Sequence, residues 1–154
     1  MAPESIRRGA QLGLSFACNL GRREIEHYHQ ALRELGKDPA AFNVVTSRLV
    51  YIADSEEQAW REIEAPVLYQ ITMYVKWLSA AGFETSYFRP DPEALRRNGV
   101  MGPPEVVTER LQQILATTPM TEMGLSMQLP GLNPRKALRS LERFATEVLP
   151  VLRR

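Results

Sequence analysis

The stretch that most restricts this chain is VVTSRLVYIA at residues 44–53. It is rich in β-branched and aromatic residues, and LVYIA is apolar without a break. A strand reads this way when both its faces are covered, as in a parallel sheet flanked by helices. DSEEQAW follows at once and restarts a helix, with Ser55 and Gln58 spaced as a capping box.

The same alternation runs along the chain. Pro3, Glu4 and Ser5 open a first helix, because proline gives up an N–H that would be unpaired there and early acids suit the positive helix end. Ile6, Ala10 and Gly13 mark its inner face. A strand is predicted at 14–18 and a turn at 19–21. Ile25, Tyr28, Leu32 and Leu35 recur at helical spacing, and Gly36 ends that helix. The helix after Ser55 continues through Ala59, Ile63, Val67, Ile71, Tyr74 and Leu78, with a kink expected at Pro66. Residues 81–103 read as irregular, with one short helix around 92–97. Pro103 and Pro104 open a helix holding Val107, Leu111 and Ile114. TEMGLSMQL sets Met123, Leu125, Met127 and Leu129 against Glu122, Gly124, Ser126 and Gln128, a strand pattern. Asn133 as N-cap and Pro134 then start a last helix bearing Ala137, Leu138, Leu141, Phe144, Ala145, Val148 and Leu149. One helix and three strand–helix units predict an α/β fold with a parallel sheet.

Charge narrows the partners. Nineteen Lys and Arg balance eighteen Asp and Glu, so no net field draws the chain to nucleic acid or to an anionic membrane. The paired arginines at 7–8, 22–23, 96–97 and 153–154 read as solvated helix faces. The single cysteine, Cys18, rules out an internal disulfide framework, and no signal-peptide pattern or membrane-length apolar run is present. The chain reads as cytoplasmic.

Few residues carry chemistry of their own. Glu24/His27 and Glu26/His29 have the Glu-x-x-His spacing of half a carboxylate-bridged di-metal site, but both histidines of the chain are spent there. A polar helix face accounts for them with no metal. Cys18 falls at the carboxyl end of a strand, where α/β folds place ligands; as a small buried filler it needs no role. Met120, Met123 and Met127 fit a core as well as a cofactor wall. Phosphate-loop, dinucleotide-fold and serine-elbow motifs are missing. The unpaired backbone N–H groups of Glu4, Ser5 and Ile6 at the first helix start form the best anion site.

Three stretches taken together resemble the carboxyl-terminal half of luciferase-like, flavin-dependent monooxygenases: PESIRRGAQLG at 3–13, GVMGPPEVVTERLQQI at 99–114 and MQLPGLNPRKALRSLERFATEVLPVLR at 127–153. RLVYIADSEEQAW fits as the linking strand and acidic helix start. The resemblance implies a (β/α)₈ TIM barrel that binds FMN or a deazaflavin coenzyme. It makes residues 14–18, 43–53 and 121–129 strands six to eight, and 81–103 an insertion. The implied reaction puts one oxygen atom of O₂ into a small organic substrate by way of a reduced flavin.

The implied roles are binding roles. Pro3, Glu4, Ser5 and Ile6 would form the turn that holds the cofactor phosphate. Phe16, Ala17 and Cys18 would lie near the flavin edge, and Gln128 and Gly131 would wall the substrate end. No catalytic acid or base and no metal ligand is expected. Leu14-Ser15 stands where many members carry Asp-Gly. Because such a barrel takes about 250 residues, the expectation is a truncated or split member, inactive alone. A non-enzymatic half-barrel, self-associating or completed by a separate amino-terminal half, is the alternative, and a gene fragment a further one.

Overall fold

The computed structural model describes residues 3–17, 22–85 and 91–153. The predicted turn at 19–21 lies outside them, as does Cys18. The chain forms two compact units: Met1–Arg48 with Leu111–Leu125, and Leu49–Arg110 with Ser126–Arg154.

In the first unit α1 (Pro3–Gln11) leads to a short β1 (Phe16–Ala17) and then to α2 (Arg22–Glu34). β2 (Val44–Ile52) begins here and pairs in parallel with β1, Phe16 opposite Val44 and Ala17 opposite Val45. β4 (Glu122–Ser126) also pairs with β2. The Thr121 N–H donates to the Val44 carbonyl, and Val44 N–H to Thr121 Oγ1, both at 2.9 Å. Ile6, Ala10, Ile25, Tyr28, Ala31, Leu32 and Val44 form the core, with Met120 packed against it. The expected strand 14–18 shrinks because Leu14 is taken up elsewhere. Its N–H donates to the Gly9 carbonyl, and its own carbonyl accepts from the Tyr28 hydroxyl at 2.5 Å.

The second unit holds the rest of β2, which pairs in parallel with β3 (Val100–Gly102) from Val50 opposite Val100 to Ile52 opposite Gly102. Around this pair lie α3 (Glu56–Ala80), α4 (Pro92–Asn98), the first turns of α5 (Pro104–Thr117) and α6 (Pro134–Arg143). Tyr51, Ala59, Trp60, Ile63, Val67, Met101, Leu129 and Leu132 make its core. The parallel α/β reading holds.

Three local expectations change, at Gln58, within 81–103 and in the last helix. Ser55 caps α3 by accepting from the Gln58 N–H at 3.1 Å, yet the Gln58 amide turns to Glu62 rather than back to the cap, so only half a capping box forms. α3 is continuous over its 25 residues with Pro66 inside it. The segment 81–103 contains β3, whose three residues are too few to show a period. The last helix is interrupted by a π turn at Phe144–Val148 before a short α7 (Leu149–Leu152). Pro150 has no N–H to donate and its ring crowds the carbonyl four residues back, so the helix widens and Leu149 N–H reaches Phe144.

Candidate functional site

α1 begins with Pro3, Glu4 and Ser5 exposed and Ile6 buried. Ile6 and Ala10 bury one face of α1 in the core shared with α2, while Pro3, Glu4 and Ser5 at its start stay exposed. An α-helix start of this kind offers unpaired donors and partial positive charge to an anion. A groove of about 180 Å³ opens beside it, lined by Pro3, Ile6, Arg7, His27, Gln30 and Glu34 among others. Arg7 meets Glu34 across it at 4.0 Å, and Gln30 Nε2 donates to the same carboxylate at 3.1 Å. Arg7 and His27 thus stand next to the helix start, a placement the sequence spacing could not show because it depends on how α1 and α2 pack.

Phe16 is buried, its ring stacked on Tyr28 at 4.8 Å between centroids. Ala17, the next residue along β1, is exposed on the other face. Of the predicted flavin-edge residues, Ala17 is therefore the described one that faces outward. Cys18 lies outside the described residues.

Gln128 and Gly131 belong to the second unit and line separate grooves. Gly131, in a turn at φ +80°, borders an open groove of about 460 Å³ with Ala65, Pro66, Tyr69 and Pro130. Gln128 borders another, of about 210 Å³, with Met127, Leu138 and Leu141. Its amide donates to the Leu129 and Leu132 carbonyls at 3.1 and 3.4 Å and so braces the 129–132 turn.

Two polar clusters went unread in the sequence. Tyr51 donates to Glu62 at 2.6 Å, and Glu62 also takes Gln58 Nε2 and Lys136 Nζ, each at 3.3 Å. Burial alone would raise the Glu62 pKa, but the hydrogen bonds from Tyr51, Gln58 and Lys136 outweigh it and hold the carboxyl below its usual range. Burial, and then the Glu62 carboxylate itself, push the Tyr51 phenol well above its ordinary value. Arg110 donates to the Gly99 and Met101 carbonyls at 3.0 and 3.2 Å and to Glu56 at 2.6 Å, pinning β3. Both bind secondary structure together, and the Arg110–Glu56 pair also lines an open groove of about 390 Å³ with Glu93, Arg96 and Arg97.

The Glu-x-x-His pairs lie along α2. Glu26 takes Arg22 Nε at 2.5 Å, and His29 packs beside the Tyr28 ring, where burial and then Arg33 lower its pKa. Among the described residues no three His, Cys, Asp or Glu side chains gather as a metal site. Nor is any described helix long and apolar enough to cross a membrane.

Parallel strands alternating with helices define an α/β protein. The family model for luciferase-like monooxygenases matches residues 1–122, and the chain belongs to that family. Among solved structures, the monooxygenase RslO1 from Streptomyces bottropensis aligns at TM-score 0.66 and 16% identity over 98% of this chain and 46% of its own. The oxygenating constituent of 3,6-diketocamphane monooxygenase from Pseudomonas putida, solved in complex with FMN, aligns at 0.66 and 23% identity over 95% and 45%. The coenzyme F420-dependent tetrahydromethanopterin reductase from Methanopyrus kandleri aligns at 0.59 and 14% over 97% and 48%. These are TIM-barrel proteins, and the chain spans about half the length of each, as a partial barrel does. No curated protein matches the chain.

Proposed function

We propose that this chain is the cofactor-phosphate-binding part of a flavin-dependent oxidoreductase of the monooxygenase type, with α1 as the phosphate cradle. The observation that carries the reading is the start of α1, where Pro3, Glu4 and Ser5 are exposed and Arg7 and His27 line the adjoining groove. FMN or a deazaflavin phosphate fits that donor set. When bound, the flavin supplies the redox chemistry and the activation of oxygen. The residues of this chain bind and orient. Within the first unit the α1 start would fix the phosphate and Ala17 would border the ring; Gln128 and Gly131 of the second unit are assigned to the organic substrate by the family resemblance alone. No acid or base of the reaction is assigned to this chain.

Fluorescence titration with FMN and with riboflavin, which lacks the phosphate, tests the reading. FMN should bind at least about tenfold tighter, roughly what one charge-assisted hydrogen bond supplies. Ser5→Asp, which puts a negative side chain on the cradle, should erase the difference. Equal affinity for the two ligands contradicts the reading.

A second reading follows from length. Since the chain spans 45–48% of its structural neighbours, oxygen transfer would belong to a barrel completed by further strands, and this chain alone would be a non-enzymatic half. Turnover of an organic substrate by the purified chain with reduced FMN and O₂ would refute that.

A further inference from the structure

One groove of the second unit is walled wholly by charge. Glu56 of α3, Glu93, Arg96 and Arg97 of α4, and Arg110 of α5 line its roughly 390 Å³, a volume within the range of small-molecule sites. All of them belong to the second unit.

Most of that charge is already paired. Arg110 donates to Glu56 at 2.6 Å and to the Gly99 and Met101 carbonyls, which fixes both side chains to the groove wall. Arg96 donates to Glu57 at 3.3 Å. Glu93 and Arg97 are what remains. Among the described residues neither side chain has a hydrogen bond or ion pair. They stand four apart on α4, a spacing at which an acid followed by a base ordinarily closes into a pair. Here both line the groove without meeting. The helix that carries them is firmly started, since Asp91 accepts from the Glu93 and Ala94 N–H groups at 3.0 and 3.2 Å.

The free charge on this wall is therefore one cation and one anion. A simple anion is drawn by Arg97 and opposed by Glu93, and a simple cation meets the reverse. A molecule bearing both charges is drawn by each. We infer that this groove binds a small zwitterion of the α-amino-acid type, its carboxylate on the Arg97 guanidinium and its ammonium group on the Glu93 carboxylate. A guanidinium fork matches a carboxylate with two parallel donors, and both contacts are charge-assisted. Residues at this spacing have Cβ atoms about 5–6 Å apart, and an α-amino acid carries its two charges on one carbon, so one molecule spans the pair. Arg96 and the Arg110–Glu56 pair face the rest of the groove and leave room for a polar side chain. Phosphate is the poorer occupant, because Glu93 opposes it and Glu56 already neutralises Arg110. A solvated helix face accounts for Arg96 with Glu57, but it does not call for two opposite charges to share a groove unpaired. The site uses no α1 group, so it stands or falls apart from the flavin reading.

Nitrogen–proton correlation spectra of the labelled full chain test it, with glycine as the probe and acetate and methylammonium as its single-charge halves. Glycine should move the α4 amides and the Arg97 Nε–H signal saturably, with half-saturation on the order of 1–10 mM. Either half alone should need at least about tenfold more, since it makes only one of the two charge-assisted contacts. Arg97→Gln and Glu93→Gln alter exposed positions outside the core. Each should leave the far-ultraviolet circular dichroism unchanged and weaken glycine binding at least about tenfold. The absence of a saturable α4 shift by about 100 mM glycine overturns the inference. So does acetate that binds as well as glycine, which would make the groove an anion site, or glycine binding that both variants leave intact.

Discussion

Glu62 shows how one side chain can hold a unit together without touching a ligand. Its carboxylate, 10% exposed, takes hydrogen bonds or ion pairs from Tyr51, Gln58, Lys136 and the more distant Arg139, and so ties β2, α3 and α6. Tyr51→Phe should cost about 1.5–3 kcal/mol in urea denaturation, the worth of a hydrogen bond to a charged group. The pH dependence has two edges. Tyr51 has a raised folded pKa, so its contribution is complete below the unfolded value of about 10 and is lost as pH rises beyond it. Glu62 has a lowered folded pKa, so its contribution is present above about pH 4.3 and fades as pH falls below that. Tyr51→Phe should shrink the alkaline edge, as read from denaturation midpoints across pH, leaving the part that the raised phenol of buried Tyr28 supplies. A second constraint sits at Gly102, whose φ of +132° disfavours any side chain and whose added Cβ would lie 2.8 Å from Glu56 Cγ. Gly102→Ala should destabilise by about 1–3 kcal/mol in the same assay.

Among the elements, α3 separates what pattern fixes from what packing decides. Its stripe from Ala59 to Leu78 is plain in the sequence, and so are the Ser55 and Asn133 caps, because each depends on residues within one or two turns. That Val67 is buried and Tyr74 is not depends on where the rest of the unit ends, which periodicity does not contain. The contrast is measurable. Ile63→Ala should cost about 2–5 kcal/mol as a core truncation, and Ile71→Ala less than about 1 kcal/mol in dilute protein. β3 escaped for a different reason: three residues carry no period, and pairing with β2, with Arg110 on the Gly99 and Met101 carbonyls, holds them. Gln58 shows the limit of motif spacing, since the residue is right for a capping box and Glu62, one turn on, competes for its amide.

At the scale of the molecule, the parallel α/β class was legible from an unbroken apolar strand followed at once by a helix, and the structural neighbours share that class. The candidate site was legible only as a local feature. The α1 start could be named from Pro3, Glu4 and Ser5, whereas the groove beside it needed the packing of α1 on α2, and the separate grooves of Gln128 and Gly131 needed the course of the 129–132 turn. The central claim is that the first turn of α1 receives a flavin phosphate. Nitrogen–proton correlation spectra of the labelled chain, recorded with FMN and then with riboflavin, test it most directly. The claim predicts that the Glu4, Ser5 and Ile6 amides move most with FMN and stay in place with riboflavin; largest shifts elsewhere, or the same shifts with both ligands, would contradict it.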